Sequence, residues 1–278
     1  MTEYLKLAEG TIAYDLEGTG PLVVLAHGMG DSRHAYRFVV PRLVAAGYRV
    51  ANVDLRGCGD SSVGEWSSFT RTDIAGDLVA IVRHLGGPAV VVGQSISGGA
   101  ATIAAADAPD EVAAVVEIGS FTRKQSMSFA DLRVRRYRQG MLQLALMTML
   151  GSVPWWLRYL DTAYPGIKPA DWNEQLDRIS SKLREPGRMK VLQSMGRTTP
   201  VDADAKLAQV RCPALVIQGT LDPDWGDPKV EGEAIVNAIG HHQARLQLIA
   251  GAGHYPHAQF PAETAEAILL FLKEHTRA

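Results

Sequence analysis

Four stretches of the chain, Leu22 to Ala26, Ala89 to Val92, Val112 to Ile118 and Ala214 to Ile217, are nearly continuous runs of β-branched and small apolar residues. Runs of this length without polar alternation suit strands covered on both faces, which is the situation of strands in a parallel sheet. Arg49 to Val53 and Leu246 to Ile249 extend the series. Helical periodicity separates most of them, over Ile74 to Leu85 and Ala234 to Ile239, and a last helix is expected from Ala262 to Lys273. Strand alternating with helix predicts an α/β protein whose mostly parallel central sheet is flanked by helices on both sides. Ahead of that series, residues around Tyr4 to Leu7 and Thr11 to Leu16, separated by Glu9-Gly10, predict a hairpin.

The alternation stops between residues 121 and 199. That stretch has helical spacing, several Gly and Pro breaks and no convincing strand. With 278 residues in all, the reading is one core domain, residues 1–120 and 200–278, carrying an inserted helical cap over 121–199. Inside the cap, Val134, Tyr137, Met141 and Leu144 recur at helical spacing and predict one apolar face. Arg133, Arg135, Arg136 and Arg138 crowd the same segment and read as a solvated surface. Met141 to Leu157 is largely apolar, but Gln143, Thr148, Gly151, Ser152 and Pro154 interrupt it, so a lid helix is expected rather than a membrane span.

The net charge of −2 removes the electrostatic case for a nucleic-acid partner. Two cysteines, Cys58 and Cys212, are too few for a disulfide scaffold and lack metal-knuckle spacing. Together with an N-terminus that lacks a basic region followed by an apolar core, they suggest a cytoplasmic protein with reduced thiols. Gly28-Met29-Gly30 fits neither a dinucleotide nor a phosphate-loop pattern, so no cofactor is expected.

Chemistry enters at Val90-Val91-Val92-Gly93-Gln94-Ser95-Ile96-Ser97-Gly98-Gly99, where a β-branched run ends in a serine hemmed in by small residues and followed by an Ala-rich helical stretch. A strand, a sharp turn and a helix in that order would hold the Ser95 hydroxyl out at the strand tip in strained geometry, as a nucleophile. The pattern is Gly-x-Ser-x-Ser, with Ser97 where a glycine is usual. An ordinary helix N-cap is the competing reading of Ser95. A nucleophilic serine also needs a base, an acid to orient that base, and donors for the developing oxyanion. Asp222 follows a buried strand, and His254 lies in a glycine-rich loop after the last one.

The order Ser, Asp, His, each beyond a strand, resembles the α/β-hydrolase fold family over nearly the whole chain. Two further segments carry the resemblance. Ala26-His27-Gly28-Met29-Gly30 is similar to that family's His-Gly oxyanion loop, and Asp54-Leu55-Arg56-Gly57-Cys58-Gly59-Asp60-Ser61 to its Asp-x-Arg-Gly-x-Gly-x-Ser segment. The resemblance implies Ser95 as nucleophile, His254 as general base and acid, and Asp222 as orienting carboxylate. It implies the backbone N–H groups of Met29 and Ile96 as the oxyanion hole, and it makes His27 a brace of its loop. Asp224 and Glu117 remain alternatives for the acid, and His257 for the base. His254 and His257 form a His-x-x-His pair without a further ligand cluster, so no metal is expected. His241 and His242 read as solvated turn residues.

Serine at position 95, where an aspartate would have suggested a dehalogenase or an epoxide hydrolase, implies a serine hydrolase. Met141, Leu144, Met147, Met149, Trp155 and Trp156 form a soft, aromatic set in the cap, and all but Met149 are put forward as substrate-binding. The expected substrate is a small to medium apolar ester or lactone. Two alternatives stand beside this: a slow-turnover ligand receptor on the same fold, and another triad chemistry such as carbon–carbon bond hydrolysis, acyl transfer or cofactor-free perhydrolysis.

Overall fold

The computed structural model describes residues 1–64, 66–124, 129–240 and 244–276. Eight strands form one sheet: β1 (Thr2–Lys6), β2 (Thr11–Glu17), β3 (Leu22–Ala26), β4 (Arg49–Val53), β5 (Ala89–Gln94), β6 (Val112–Ile118), β7 (Ala214–Gly219) and β8 (Ala244–Ile249). Their order across the sheet is β1-β2-β4-β3-β5-β6-β7-β8. The first two strands pair antiparallel, as the hairpin pattern predicts, and β2 also pairs antiparallel with β4; every later neighbour is parallel. All residues of β3, β5 and β7 are buried, which is what continuous apolar runs require of strands sandwiched by helices.

Among the described residues, eleven α-helices accompany the sheet. The first three are α1 (Val40–Ala45), α2 (Arg71–His84) and α3 (Ile96–Asp107). Five follow between β6 and β7: α4 (Arg135–Leu150), α5 (Val153–Ala163), α6 (Trp172–Arg184), α7 (Arg188–Gly196) and α8 (Val201–Asp204). The last three are α9 (Pro228–Ile239), α10 (Pro256–Gln259) and α11 (Pro261–His275). Two apolar clusters lie on the two faces of the sheet. One holds Val24, Val91, Leu78, Ala101 and Ile235; the other holds Val23, Val92, Leu43, Ile268 and Phe271. Alternate residues of β3 and β5 thus feed opposite cores, as the two-residue strand period demands.

The inserted cap has its own core of Met147, Trp156, Tyr159, Leu160, Leu183 and Leu192, with Tyr255 of the sheet domain packed into it. Two sequence expectations need correction here. The apolar segment 141–157 is not one helix: Gly151 adopts the left-handed conformation at φ 60° and closes α4, and α5 begins beyond it. The buried stripe of α4 is Tyr137, Gly140, Gln143 and Met147, not the stripe through Val134, Met141 and Leu144. Gly140 explains the rotation, because a Cβ there would stand 3.2 Å from Pro223, so the helix backbone seats directly on the loop after β7. Among the described residues, no helix is long and apolar enough to cross a membrane.

Close backbone approach also shapes the turn from β5 to α3. A Cβ on Gly93 would lie 2.1 Å from the Ser97 carbonyl oxygen, and one on Gly98 would lie 2.2 Å from the Ser120 Cβ. Both clashes are with fixed atoms of a buried turn, so the substitution has no room to relax. Gly93→Ala is expected to cost at least about 2 kcal/mol of unfolding free energy, read as a lowered urea midpoint at unchanged slope. An unchanged midpoint would contradict this account of the turn.

Candidate active site

Ser95 stands between β5 and α3 at φ 57°, ψ −119°, and among the described residues it is the one non-glycine with positive φ. Such a conformation costs about 1–3 kcal/mol and persists only where surrounding contacts enforce it. Here the Ser95 N–H donates to the Ile118 carbonyl at 2.9 Å, and the Ser95 carbonyl accepts from the Phe121 N–H at 3.2 Å. The end of β6 therefore clamps both sides of the serine. Its side chain makes no cap hydrogen bond to α3, so the N-cap reading does not account for it.

Ser97, the departure from the usual elbow pattern, is fully buried and donates its hydroxyl to the His27 carbonyl. It thereby ties the elbow to the loop after β3. That loop lies flat against the turn at Ser95, because a Cβ on Gly28 would meet the Gln94 Oε1 at 2.0 Å and the Ser95 Cβ at 3.1 Å. The His27 ring braces it from below. Its Nε2 accepts from the Leu55 N–H at 3.1 Å, so its proton sits on Nδ1, which donates to the Gly28 carbonyl at 2.6 Å. Met29 follows this braced dipeptide, and Ile96 opens α3, where the first backbone N–H groups lack an intrahelical acceptor.

The segment after β4 stabilises the same corner. Buried Asp54 accepts from the Arg33 guanidinium, from the Arg33 N–H at 2.7 Å and from the Asp60 N–H at 2.8 Å. Arg56 makes a two-pronged contact with Asp77 at 2.7 and 2.8 Å. Breaking such a buried pair typically costs about 3–5 kcal/mol. These residues have structural partners and leave the reacting groups to the neighbouring loops.

His254 is 1 % exposed, and its Nδ1 lies 2.9 Å from Asp222 Oδ2 and 3.2 Å from Asp224 Oδ2. Its N–H donates to the Ala163 carbonyl at 2.9 Å, so the end of cap helix α5 carries the histidine loop. Gln94, next to Ser95, donates Nε2 to the His254 carbonyl at 3.2 Å. The Phe121 ring meets the imidazole edge-on with centroids 6.0 Å apart and packs on Trp225 at 4.9 Å. Burial opposes protonation of His254, but the two carboxylates beside Nδ1 outweigh it and push the imidazole up to about 9. Asp224 is pushed up to about 6, first by burial and then by the charge of Asp222, against the pull of His254 and of a hydrogen bond from the Tyr159 hydroxyl at 2.7 Å.

The alternatives left open by the sequence separate clearly. Glu117 is buried beneath three hydroxyls, those of Thr102, Ser120 and Thr122, and makes no contact with His254. His257 is fully buried, stacked on Tyr36 at 4.8 Å, and held down to about 3, first by burial and then by Arg37, so its ring is neutral. His241 and His242 lie outside the described residues. Asp224 stands beside Asp222 at the same nitrogen of His254. Asp222, Asp224 and His254 are also the one group of three ligand-type side chains among the described residues. Donors around a tetrahedral zinc with bonds of about 2.1 Å stand about 3.4 Å apart, so the 2.9 Å contact of Nδ1 with Asp222 fits a hydrogen bond better.

The cap residues put forward for substrate are spread differently than expected. Met147 and Trp156 are fully buried in the cap core, with Leu144, Trp155 and Met29 packed against it. Met141 is half-buried, while Met149 is 75 % exposed and faces away. A cavity of about 390 Å³ lies between α6 and α7 and the loops after β3 and β4, lined by Gly30, Arg37, Cys58, Arg178, Leu183 and Leu192 among others. None of Ser95, Asp222, His254, Met141, Leu144, Met147, Trp155 or Trp156 lines it. Tyr159, Gln94 and Phe121 escaped the sequence reading, and Asp224 entered it only as an alternative to Asp222. The Asp222-Pro223-Asp224 triplet was the one available signal for Asp224.

Comparison with known proteins settles the family. The family model described as "Alpha/beta hydrolase family" matches residues 23–267, most of the chain. The chain belongs to the alpha/beta hydrolase family. Among curated relatives of this hydrolase, epoxide hydrolase B of Mycobacterium tuberculosis (strain ATCC 25618 / H37Rv) is 40 % identical over 101 residues, covering 36 % of this chain and 28 % of the relative. The matched part of the chain thus spans under a third of that protein's length. Epoxide hydrolase A of the same strain is 26 % identical over 300 aligned positions, covering 92 % of this chain and 91 % of the relative. A thermophilic esterase from Thermogutta terrifontis, solved with malate bound, superposes with a TM-score of 0.73 at 24 % identity, covering 99 % of this chain and 100 % of that one. At that identity the likeness concerns the fold alone.

The hydroxyl of Ser97 is the link between the β5–α3 turn and the loop after β3 that is easiest to remove. Ser97→Ala leaves the buried His27 carbonyl without its donor and is expected to cost about 1–3 kcal/mol. Chemical denaturation reads the loss; stability equal to the parent would mean that the link contributes nothing.

Proposed function

We propose that this hydrolase is a serine esterase or lactonase acting through an acyl-enzyme. The side chain at position 95 carries the reading. The epoxide hydrolases among its relatives suggest a second chemistry of the fold, but a carboxylate nucleophile at the elbow would be its mark, and residue 95 is a serine. A serine held at positive φ, whose neighbour Gln94 donates to the His254 carbonyl, together with an imidazole whose Nδ1 is 2.9 Å from a buried aspartate, supports acyl transfer.

In this mechanism His254 Nε2 takes the Ser95 Oγ proton as Oγ attacks the carbonyl carbon, while Asp222 holds the Nδ1 proton and stabilises the imidazolium. The oxyanion receives the N–H groups of Met29 and Ile96, an arrangement in which one donor is typically worth about a hundredfold or more in rate. The alkoxide leaves with the proton from Nε2. Water then gives a proton to the same nitrogen and attacks the acyl carbon, releasing the acid and restoring Ser95. Ser95 at 4 % and His254 at 1 % exposure favour a reaction away from bulk water. The Phe121, Trp225 and Met29 surround favours an uncharged, apolar acyl group of small to medium size. We place the enzyme in the cytoplasm, which the free thiols of Cys58 and Cys212 support.

A fluorophosphonate probe is expected to add to Ser95 and to leave the Ser95→Ala variant unlabelled, with peptide mass spectrometry locating the adduct. On p-nitrophenyl esters, turnover is expected to fall when the acyl group carries charge. The base form of His254 grows as pH rises, so kcat/KM should climb with a midpoint above the ordinary imidazole value of about 6.5, because the neighbouring carboxylates push the group up to about 9. Labelling elsewhere, or a midpoint below the ordinary value, would count against the assignment.

A further inference from the structure

His254 faces two aspartates, where one is enough to fix an imidazole. Asp222 Oδ2 hydrogen-bonds Nδ1 at 2.9 Å, and Asp224 Oδ2 lies within ion-pair distance of the same nitrogen at 3.2 Å, so two buried carboxylates flank one imidazole nitrogen. They are held differently. Asp222 Oδ1 accepts the Asp224 N–H at 2.9 Å within its own loop, whereas Asp224 Oδ2 accepts the Tyr159 hydroxyl at 2.7 Å from cap helix α5. Pro223, between the two aspartates, carries α4 at Gly140. Arg136 of α4 donates to the Gly226 carbonyl at 3.3 Å, in the same loop.

Building on the serine-hydrolase reading, we propose that Asp224 is a second orienting carboxylate for His254 and that Tyr159 holds it in place from the cap. Both are positioning residues: neither touches the reacting carbonyl, and each acts through the imidazole. The arrangement gives the cap a grip on the base. Seating α5 supplies the Ala163 carbonyl to the His254 N–H and the Tyr159 hydroxyl to Asp224, so the imidazole is fixed from both its backbone and its Nδ1 side only while the cap is docked.

The groups facing Asp224 fix the sign of its effect. They are Asp222 on the same loop, His254 after β8 with neighbouring Tyr255, Tyr159 on α5 and Tyr137 on α4; Asp131 and Arg136 flank the loop at Gly226. Burial and Asp224 both hold Tyr159 in its protonated form, in which it is a donor. Removing the Asp224 charge takes away one anion from beside the imidazolium, so His254 must lose its proton at lower pH. Removing the Tyr159 hydroxyl withdraws a donor from the Asp224 carboxylate, so that carboxyl must titrate at higher pH.

The test combines ring-nitrogen NMR titration of His254 with kinetics. Asp224→Asn is expected to shift the His254 midpoint down, and the Asp222→Asn, Asp224→Asn double variant to shift it further than either single change. Tyr159→Phe, which keeps the ring packed, is expected to raise the carboxyl-carbon titration of Asp224 above its place at about 6; this variant carries the test if Asp224→Asn does not fold. In kcat, Asp222→Asn alone should lose at least about tenfold less than the roughly 10⁴-fold typical when the single orienting acid is amidated, and the double variant should show the full loss. A His254 midpoint indifferent to Asp224→Asn, an Asp224 titration indifferent to Tyr159→Phe, or equal losses in the single and double variants would overturn the proposal. Fluorophosphonate labelling of the parent protein keeps the two readings apart. Unlabelled Ser95 with a responsive His254 refutes the serine mechanism and leaves the second carboxylate standing, whereas labelled Ser95 with an indifferent His254 refutes only the second carboxylate.

Discussion

A serine forced to φ 57° between a buried strand and a buried helix is the constraint around which the rest of the molecule is arranged. About 1–3 kcal/mol of local strain survives only because Ile118 at the end of β6 and Phe121 just beyond it bond the two sides of the residue, and because neighbouring positions carry almost no side chain. Gly93 admits the Ser97 carbonyl, Gly98 admits Ser120, and Gly28 admits the Gln94 amide. Each glycine removes a clash that would push the β5–α3 turn, the loop after β3 or the sheet apart. The strain therefore depends on close-packed backbone.

A second layer holds the histidine. The loop after β8 is fastened to the sheet by Gln94, to the loop after β7 by Asp222 and to the cap by the Ala163 carbonyl. Gly253 belongs to the same joint, since a Cβ there would lie 2.1 Å from that carbonyl. The cap is consequently more than a cover over the sheet edge. Arg37 with Asp171 at 2.5 and 2.6 Å, Gln175 with Asp31 at 3.1 Å, and Arg188 with the Ser61 carbonyl at 2.8 Å fasten it on the side away from His254.

The sequence made the sheet legible because burial on both faces leaves an unmistakable apolar run, and the parallel order follows once helices alternate with those runs. Ser95, Asp222 and His254 could be picked out because each follows such a run and sits among turn residues. The second aspartate was harder to place. Asp224 is two residues from Asp222, and only the turn at Pro223 decides whether both carboxylates face one nitrogen. Tyr159 was hidden for a different reason: its hydroxyl reaches a residue 65 positions away, and in α5 it reads as one more apolar position. The cap face was misread because Gly140, which spacing alone treats as a gap, is the point where α4 touches the core. Glycine at a contact carries no hydrophobic signal, so periodicity turned the helix toward Met141 and Leu144 instead.

The most direct test of the serine centre is a crystal structure of the protein soaked with a small alkyl boronic acid. A tetrahedral boronate bonded to Ser95 Oγ, with one oxygen about 2.7–3.1 Å from both the Met29 and Ile96 N–H groups, is the result this arrangement requires. A boronate held elsewhere in the fold, or bonded to Ser95 with its oxygens turned away from both amides, would contradict it.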